Sequence, residues 1–359
     1  MSQATIQRVL SVSPIEGADR LEKVMVKGWQ VVVRKGEFRV GDNCVYVEID
    51  SLLPELEEFS FLASRGVSTS ASGSKGYRVR TAKLRGCLSQ GICFCPDSLM
   101  SVKDFCEKYP ELEVGEDVSE LLGITHYDKP VSLDMSGIAR GGRPGYIRKT
   151  DEERLQSFPE VLHQIYPLDC VVTVKLDGTS ATYSHFDSDV HVCGRNISYE
   201  ITHENAGNLY LRIEERYGIT DRLRSHGNYA VQGEICGPGI QKNPLGLNEI
   251  DFFVFDMFDI EKCRYIGFKE TVRCAYELGL KFVPVEYTGQ FSKYVGADIS
   301  ELDRLVEELL VLSRGMYYGT SRRREGLVIR SADEVYSPVL CDRLSFKVVN
   351  NEYLLKDEE

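Results

Sequence analysis

The segment SGIARGGRPGY, residues 136–146, constrains the possible folds of this chain more than any other stretch. Four of its eleven positions are glycine and one is proline. Glycine loses the most backbone freedom on ordering and proline lacks an N–H, so neither a helix nor a central strand runs easily through such a stretch. It reads as a linker, and it divides the 359 residues into two parts, each long enough to bury its own core. The expected organisation is a first domain over residues 1–135, a linker over 136–146 and a second domain over 147–359.

The first part is written in short strands. VMVKGWQVVVRKGEF alternates and turns at glycine, GDNCVYVEIDSLLP adds a strand ended by a turn, and GYRVRTAKLRG and SQGICFCP continue in the same manner. Short strands at this spacing predict a small β-barrel of OB-fold size. The small-residue stretch SRGVSTSASGSKG, residues 64–76, reads as a loop that such a barrel projects toward a ligand. The second part mixes both periods. Thr150 and Glu153 form a T-x-x-E capping box, which predicts a helix running through Arg154. Further helical periods lie near 203–217, 269–278 and 300–313, ending at Gly218, Gly279 and Gly315. Between them stand the strand-like runs CVVTVK, ATYSHF, YAVQGEI, DFFVFDMFDI, GLVIR and LSFKVV. Without regular βαβ alternation, this predicts an α+β domain of antiparallel sheets with flanking helices, not a doubly wound sheet.

Composition narrows the class. No apolar run approaches the roughly 20 residues of a membrane helix, and MSQATIQRVL lacks the features of a signal peptide. Eleven cysteines, an odd number with no export signal, are expected to be free thiols in an intracellular, reducing compartment, cytoplasm or nucleus. Cys87, Cys93 and Cys95 lie close together, but no second pair completes a zinc spacing. The formal net charge of -12 argues against a uniformly basic nucleic-acid binder. The basic residues are nevertheless grouped. Arg65, Lys75, Arg78, Arg80, Lys83 and Arg85 fall in one stretch without an acidic residue; Arg140, Arg143, Arg148 and Lys149 form a second, and Arg322, Arg323 and Arg324 a third. Read singly these are solvated faces; read together they permit a phosphate-binding track on an acidic body.

The chemistry centres on VTVKLDGTSATY, residues 172–183. Asp-Gly between two β-like runs is a hairpin signal, and a lysine beside such a turn is ordinarily solvated. Residues further along the same domain alter that reading. Glu234 ends the strand YAVQGE, Phe255 and Asp256 sit in FFVFDMFD, Glu325 opens REGLVIR, and Lys347 lies in LSFKVV. A lysine nucleophile, acids able to hold a divalent cation, an aromatic platform for a base and a second lysine are what nucleotidyl transfer through a lysyl adenylate requires. The nucleophile must be neutral although its ordinary pKa is about 10.4; a cation such as Lys347 or a bound metal is expected to lower it. Asp177, Glu234, Glu325 and Asp256 are the candidate carboxylates for Mg²⁺ or Mn²⁺, directly or through water.

KLDGTS, with the GE, FD, EG and FK elements after it in order, resembles the motif series of the covalent nucleotidyltransferases, the polynucleotide ligases and mRNA capping enzymes, over about residues 146–356. The resemblance implies that Lys175 takes the nucleotide, and that Glu234, Glu325 and Lys347 attend sugar, metal and α-phosphate. It further implies that Phe255 stacks on the base beside Val174, and that Arg195 in VCGRN contacts phosphate. Arg154, on the expected helix, is placed to reach the leaving phosphates. DNA ligases and capping enzymes usually show K-x-D-G-x-R and carry an OB domain after the last motif. Here Ser180 stands in place of that arginine and twelve residues come after Lys347. K-x-D-G-T-S with GEICGPGIQKN resembles the RNA-ligase branch, and the first domain resembles the N-terminal OB module of a subgroup that seals 3′-OH/5′-phosphate breaks in duplexes. The related ligases often carry a second lysine two positions after the last; this chain has Val349, and Arg154, Arg323 or Arg330 are the candidates to replace it.

The implied activity is an ATP-dependent RNA ligase, a monomer acting on nicked RNA duplex or an RNA/DNA hybrid with a 3′-OH RNA end, without a membrane. ATP leaves AMP on Lys175 with Mg²⁺ or Mn²⁺ as cofactor. Lys75, Arg78, Arg80, Lys83 and Arg85 are expected to grip the nucleic acid. The alternatives are a GTP-dependent capping-type guanylyltransferase, or a non-catalytic nucleic-acid-binding protein made of an OB module and an inactivated transferase domain.

Overall fold

The computed structural model describes residues 2–99, 113–128 and 138–354. Its backbone gathers into two compact units, Met1–Leu133 and Asp134–Asp357.

In the first unit, the strands Ala4–Pro14, Leu21–Val26 and Trp29–Arg34 form an antiparallel meander, and Asn43–Val47 and then Ile92–Phe94 extend it from the other edge of Ala4–Pro14. The barrel closes through residues 88–90. Gln90 N–H donates to Gln30 O at 2.8 Å, and Val32 N–H donates to Ser89 Oγ at 3.0 Å. Alternation decides the interior: Val9, Val24, Val26, Trp29, Val31, Val33 and Tyr46 point inward and are buried. A second apolar cluster, with Ile6, Val45, Leu53, Phe59 and Leu62, packs beneath the 3₁₀ helix Glu57–Arg65. This is the small barrel expected from the sequence.

The second unit is built on two sheets. The larger runs in the order Ala139–Gly142, Ile197–Tyr199, Asp189–Cys193, Thr179–Phe186, Tyr229–Cys236, Asp251–Asp259, Arg264–Tyr265. The smaller runs Glu153–Arg154, Ser345–Val349, Gly326–Ser331, Asp169–Lys175, Val285–Gln290. Each has its own core, one around Tyr183, Phe252 and Ile213, the other around Val172, Phe291, Leu305 and Phe346. The helices Leu209–Tyr217, Phe268–Glu277 and Leu302–Leu312 match the three helical periods. The first ends on Gly218 in the left-handed conformation. Among the described residues no helix is long and apolar enough to cross a membrane, and ten cysteines are free thiols.

Three expectations need correction. Residues 172–183 are not a hairpin. Asp169–Lys175 pairs with Gly326–Ser331 and Val285–Gln290, whereas Thr179–Phe186 pairs with Asp189–Cys193 and Tyr229–Cys236. Residues 176–178 therefore carry the chain from one sheet to the other, and neither Asp177 nor Gly178 adopts a positive φ. Gly178 is needed for close approach: a Cβ there would stand 2.3 Å from Ile235 O.

The capping box at Thr150 starts no helix. Glu153–Arg154 is a short strand parallel to Ser345–Val349, with Arg154 opposite Lys347, and the Thr150 hydroxyl meets that of Ser180 at 2.7 Å. Tertiary pairing outweighs the local cap signal. The glycine-rich segment expected as a linker is in part sheet: Ala139–Gly142 pairs with Ile197–Tyr199, and Arg140 donates to Asp189 at 2.9 Å. An edge strand is bonded on one side only, which is where glycine is tolerated. Residues 136 and 137 of that segment lie outside the described residues.

Candidate active site

Lys175 is the last residue of its strand and stands opposite Gly326. That register puts Glu325, the residue before Gly326, beside the lysine, and Lys175 Nζ donates to Glu325 Oε2 at 2.7 Å. Gly326 is required because a Cβ would meet Val348 O at 2.2 Å. Where the chain crosses between sheets, Ser180 pairs with Glu234, so Glu234 reaches the same place from the larger sheet. Asp177 lies between them and accepts a hydrogen bond from the Tyr353 hydroxyl. The site is thus the seam between two sheets, each contributing at least one acid.

Two tyrosines fix this seam, and neither had a signal in the sequence. Tyr317 OH donates to Lys175 O at 3.0 Å and accepts from Glu325 N–H at 3.1 Å, clamping the lysine strand to the glutamate strand. Tyr353 lies on the helix Asn351–Leu354, directly after the last strand. Asn350 secures that turn, its N–H donating to Glu325 O at 2.8 Å.

Lys347 by itself does not bring the Lys175 pKa down. Burial draws the Lys175 ammonium down, but Glu325, Glu234 and Asp177 outweigh it and hold its pKa above the ordinary value. The depressed lysine is Lys347, which burial and then the Arg154 and Lys175 cations push down to about 8. Glu234 is raised to about 7, first by burial and then by Glu325, with Lys175 opposing. Arg195 pairs with Asp151 at 2.8 Å. Asp151 acts on Lys347, so these charges border one site.

An apolar patch adjoins the charges. Val174, Phe253 and Phe255 pack with Leu176, Cys236, Val283 and Tyr317. Phe253 is directly opposite Glu234 across the strand pair and shares its face. It is a second aromatic beside Phe255 in this patch, and it had no signal in the sequence because it precedes the FD element.

Asp256 is not part of this assembly. Arg343 holds both of its carboxylate oxygens, at 2.7 and 2.6 Å, and Arg330 stands 3.5 Å away. Glu152 completes the network at 2.7 Å from Arg343, whose guanidinium lies 3.7 Å over the Tyr265 ring. The network ties the larger sheet to Arg330 of the smaller one. Because Asp256 is buried with both oxygens committed to cations, it is not a metal ligand here. Arg330, a candidate for the missing final lysine, is committed to the same network and to Phe255 O at 2.9 Å. Arg323 is paired with Glu352 at 3.3 Å, leaving Arg154, opposite Lys347, as the candidate nearest the site charges.

For a metal, the donors offered are carboxylates without thiol or imidazole, which suits Mg²⁺ or Mn²⁺. Glu234 is held against ionisation by burial and by neighbouring acids, a cost that a cation would offset, so the residues fit. Among the described residues no three candidate ligands gather into a cage, so water and phosphate oxygens would complete the shell.

On the first unit, Arg78 is engaged, at 2.6 Å from Asp50 and 4.2 Å over the Tyr127 ring. Lys75, Arg80, Lys83 and Arg85 are exposed.

Comparison with known proteins settles the family. A family model described as an OB-fold domain matches residues 3–96, and one described as RNA ligase matches residues 168–349. Solved structures of the Naegleria gruberi RNA ligase align over the whole chain. Its pyrophosphate complex is 34% identical, with a TM-score of 0.79 and 99% of each chain covered.

The chain belongs to the RNA ligase family.

A mutant of the Naegleria ligase with ATP and manganese aligns at 34% identity and a TM-score of 0.79, covering 100% of each chain. Another with AMP and manganese aligns at 34% and 0.80, covering 99% of each. Among curated protein sequences none matches. The RNA ligase thus has an N-terminal OB fold and then a sheet-rich domain that carries every residue of the KLDG, GE, EG and FK elements, with Lys175, Glu234 and Glu325 drawn together.

Proposed function

We propose that this RNA ligase joins a 3′-hydroxyl to a 5′-phosphate in a nicked duplex through three nucleotidyl transfers, using ATP and acting as a monomer. The observation that carries the reading is the contact of Lys175 with Glu325 at a seam also lined by Glu234, Asp177 and Lys347. In the first step Lys175 Nζ attacks the α-phosphorus of ATP; a P–N bond forms, the bond to the β-phosphate oxygen breaks and pyrophosphate leaves. Glu325 Oε2 is the atom placed to hold the proton that Lys175 must give up. Mg²⁺ or Mn²⁺, when bound among the carboxylates and phosphates, supplies the positive charge that favours the neutral amine and offsets charge on the α-phosphate. Lys347 and Arg154, opposite one another across a strand pair, would supply cations to the phosphates, and the apolar patch of Val174, Phe253 and Phe255 would seat the base. AMP then passes to the 5′-phosphate, and the 3′-hydroxyl displaces it as the phosphodiester closes. Lys75, Arg80, Lys83 and Arg85 are exposed to receive backbone phosphates.

The test is incubation with α-labelled ATP and Mg²⁺ or Mn²⁺, then denaturing electrophoresis. Covalent label on the protein supports the reading, and absence of an adduct with ATP or GTP overturns it. Tyr317→Phe removes the clamp shared by Lys175 and Glu325 while leaving the ring. The adduct rate should fall about tenfold or more with little change in KM for ATP, since an unsatisfied buried group costs ~1–3 kcal/mol. Lys347 carries its charge below about pH 8 and loses it above. Affinity for metal-free ATP should therefore decline as pH rises through that value, and Lys347→Arg, charged throughout, should flatten the profile in a fluorescence titration.

A further inference from the structure

The first unit carries a groove that joins Arg65 and Arg80 of the first basic stretch to Arg34 and to an exposed aromatic ring. Its walls are the 3₁₀ helix Glu57–Arg65, the end of the strand Trp29–Arg34 and the strands Ala82–Leu84 and Ile92–Phe94. Phe59 and Leu62 turn into the core, while Phe61, on the same helix, is 57% exposed. Its ring is braced from behind, edge-on to Phe94 at 6.0 Å, and Phe94 is in turn edge-on to Phe59 at 5.7 Å. An aromatic ring held against a rigid core with its outer side in solvent is a stacking platform.

Three guanidiniums border the same groove: Arg34 at the end of its strand, Arg65 at the end of the helix and Arg80. None of the three has an ion-pair partner among the described residues. The acids in the groove are Glu37 and Glu58; the Glu37 carboxylate accepts the backbone N–H of Arg34 at 3.0 Å. The local balance is therefore cationic on a chain whose net charge is -12. A ring with arginines around it matches an unpaired polynucleotide, whose phosphates meet the guanidiniums while a base lies on the ring. A duplex keeps its bases stacked inside and has nothing to offer Phe61.

We propose that this groove binds an unpaired RNA segment, one base stacking on Phe61 and its flanking phosphates meeting Arg34, Arg65 and Arg80. The inference rests on the RNA ligase reading and adds to it a single-strand subsite that shares Arg80 with the basic residues expected to grip the duplex and is set apart from them by Phe61, Arg34 and Arg65.

The experiment is fluorescence anisotropy of the full chain with a labelled unpaired twelve-nucleotide RNA and, separately, with a blunt RNA duplex of the same length, over a salt series. Phe61→Ala should weaken the unpaired RNA about tenfold, the loss of one base stack, and leave duplex affinity within about twofold. Arg65→Ala with Arg80→Ala should weaken the unpaired RNA and lower the slope of affinity against salt by about 1.4. Unchanged affinity for unpaired RNA in Phe61→Ala, or an equal loss for both RNAs, overturns the proposal. Label transfer from ATP to Lys175 needs no RNA and is read separately, so a failure of the ligase reading is distinguishable from a failure of the groove.

Discussion

Lys175→Met is expected to remove the covalent nucleotide adduct entirely and to lower sealing of a nicked duplex from ATP by at least about a thousandfold. The reason is positional as well as chemical. The strand Asp169–Lys175 ends at the seam, and its pairing with Gly326–Ser331 brings Glu325 to 2.7 Å from Nζ. Among the charges acting on Glu234, Lys175 is the cation, and Glu325 and Asp177 are also close by. Lys347 is a cation of the same site but lies one strand further, across Gly326–Ser331. It cannot take over without moving the sheet. Methionine keeps length and apolar stem, and the lost ion pair is partly exposed, so the stability cost should be within about 1 kcal/mol. Circular dichroism showing a folded Lys175→Met protein that still acquires label would transfer the nucleophile to another residue.

Asp256→Ala should have the largest effect on stability, roughly 3–5 kcal/mol. Its carboxylate is buried and holds Arg343 through two hydrogen bonds, with Arg330 close by. The aspartate carboxyl is destabilised by burial, but Arg330 and Arg343 more than compensate and hold its pKa below the ordinary range. Removing it leaves two guanidiniums sharing Glu152 in a site sealed by Tyr265. Urea denaturation checks the loss. Protein that stays folded should keep the wild-type Mn²⁺ dependence of adduct formation; a shift of that dependence without loss of stability would return Asp256 to the metal. The folded-state pKa is lowered, so the contribution is present above the unfolded aspartate pKa of about 3.9 and fades as pH falls through the folded value.

The ordered set Lys175, Glu234, Glu325 and Lys347 was legible because each sits in or directly beside a strand whose β-branched and aromatic neighbours announce it. The two sheets pair these strands as written, and alternation then dictates which side chains share a face. Asp256 was misplaced for a different reason: proximity to Phe255 in sequence put it with the site, while a register shift at this point of the strand sets it opposite Gln232, where Arg343 and Arg330 take it into their network. Tyr317 and Tyr353 were silent because a tyrosine in a loop or short terminal helix carries no period. Their roles depend on which backbone groups the sheets bring near them.

Local periodicity, turn chemistry and motif order are written in the chain, and they suffice for two β-rich domains, for most of the long strands and helices, and for the residue types of a nucleotidyl-transfer site. Long-range pairing had to be seen in the folded molecule. There KLDG crosses between two sheets, Gly178 is required for close approach to Ile235 O, and Glu153–Arg154 extends a sheet in place of a helix. The fold also settles which lysine is held charged. Pairing partners, buried approach distances and the sum of neighbouring charges are set by residues far apart in the chain, 150 positions between Lys175 and Glu325 and 191 between Arg343 and Glu152, and no local pattern carries them.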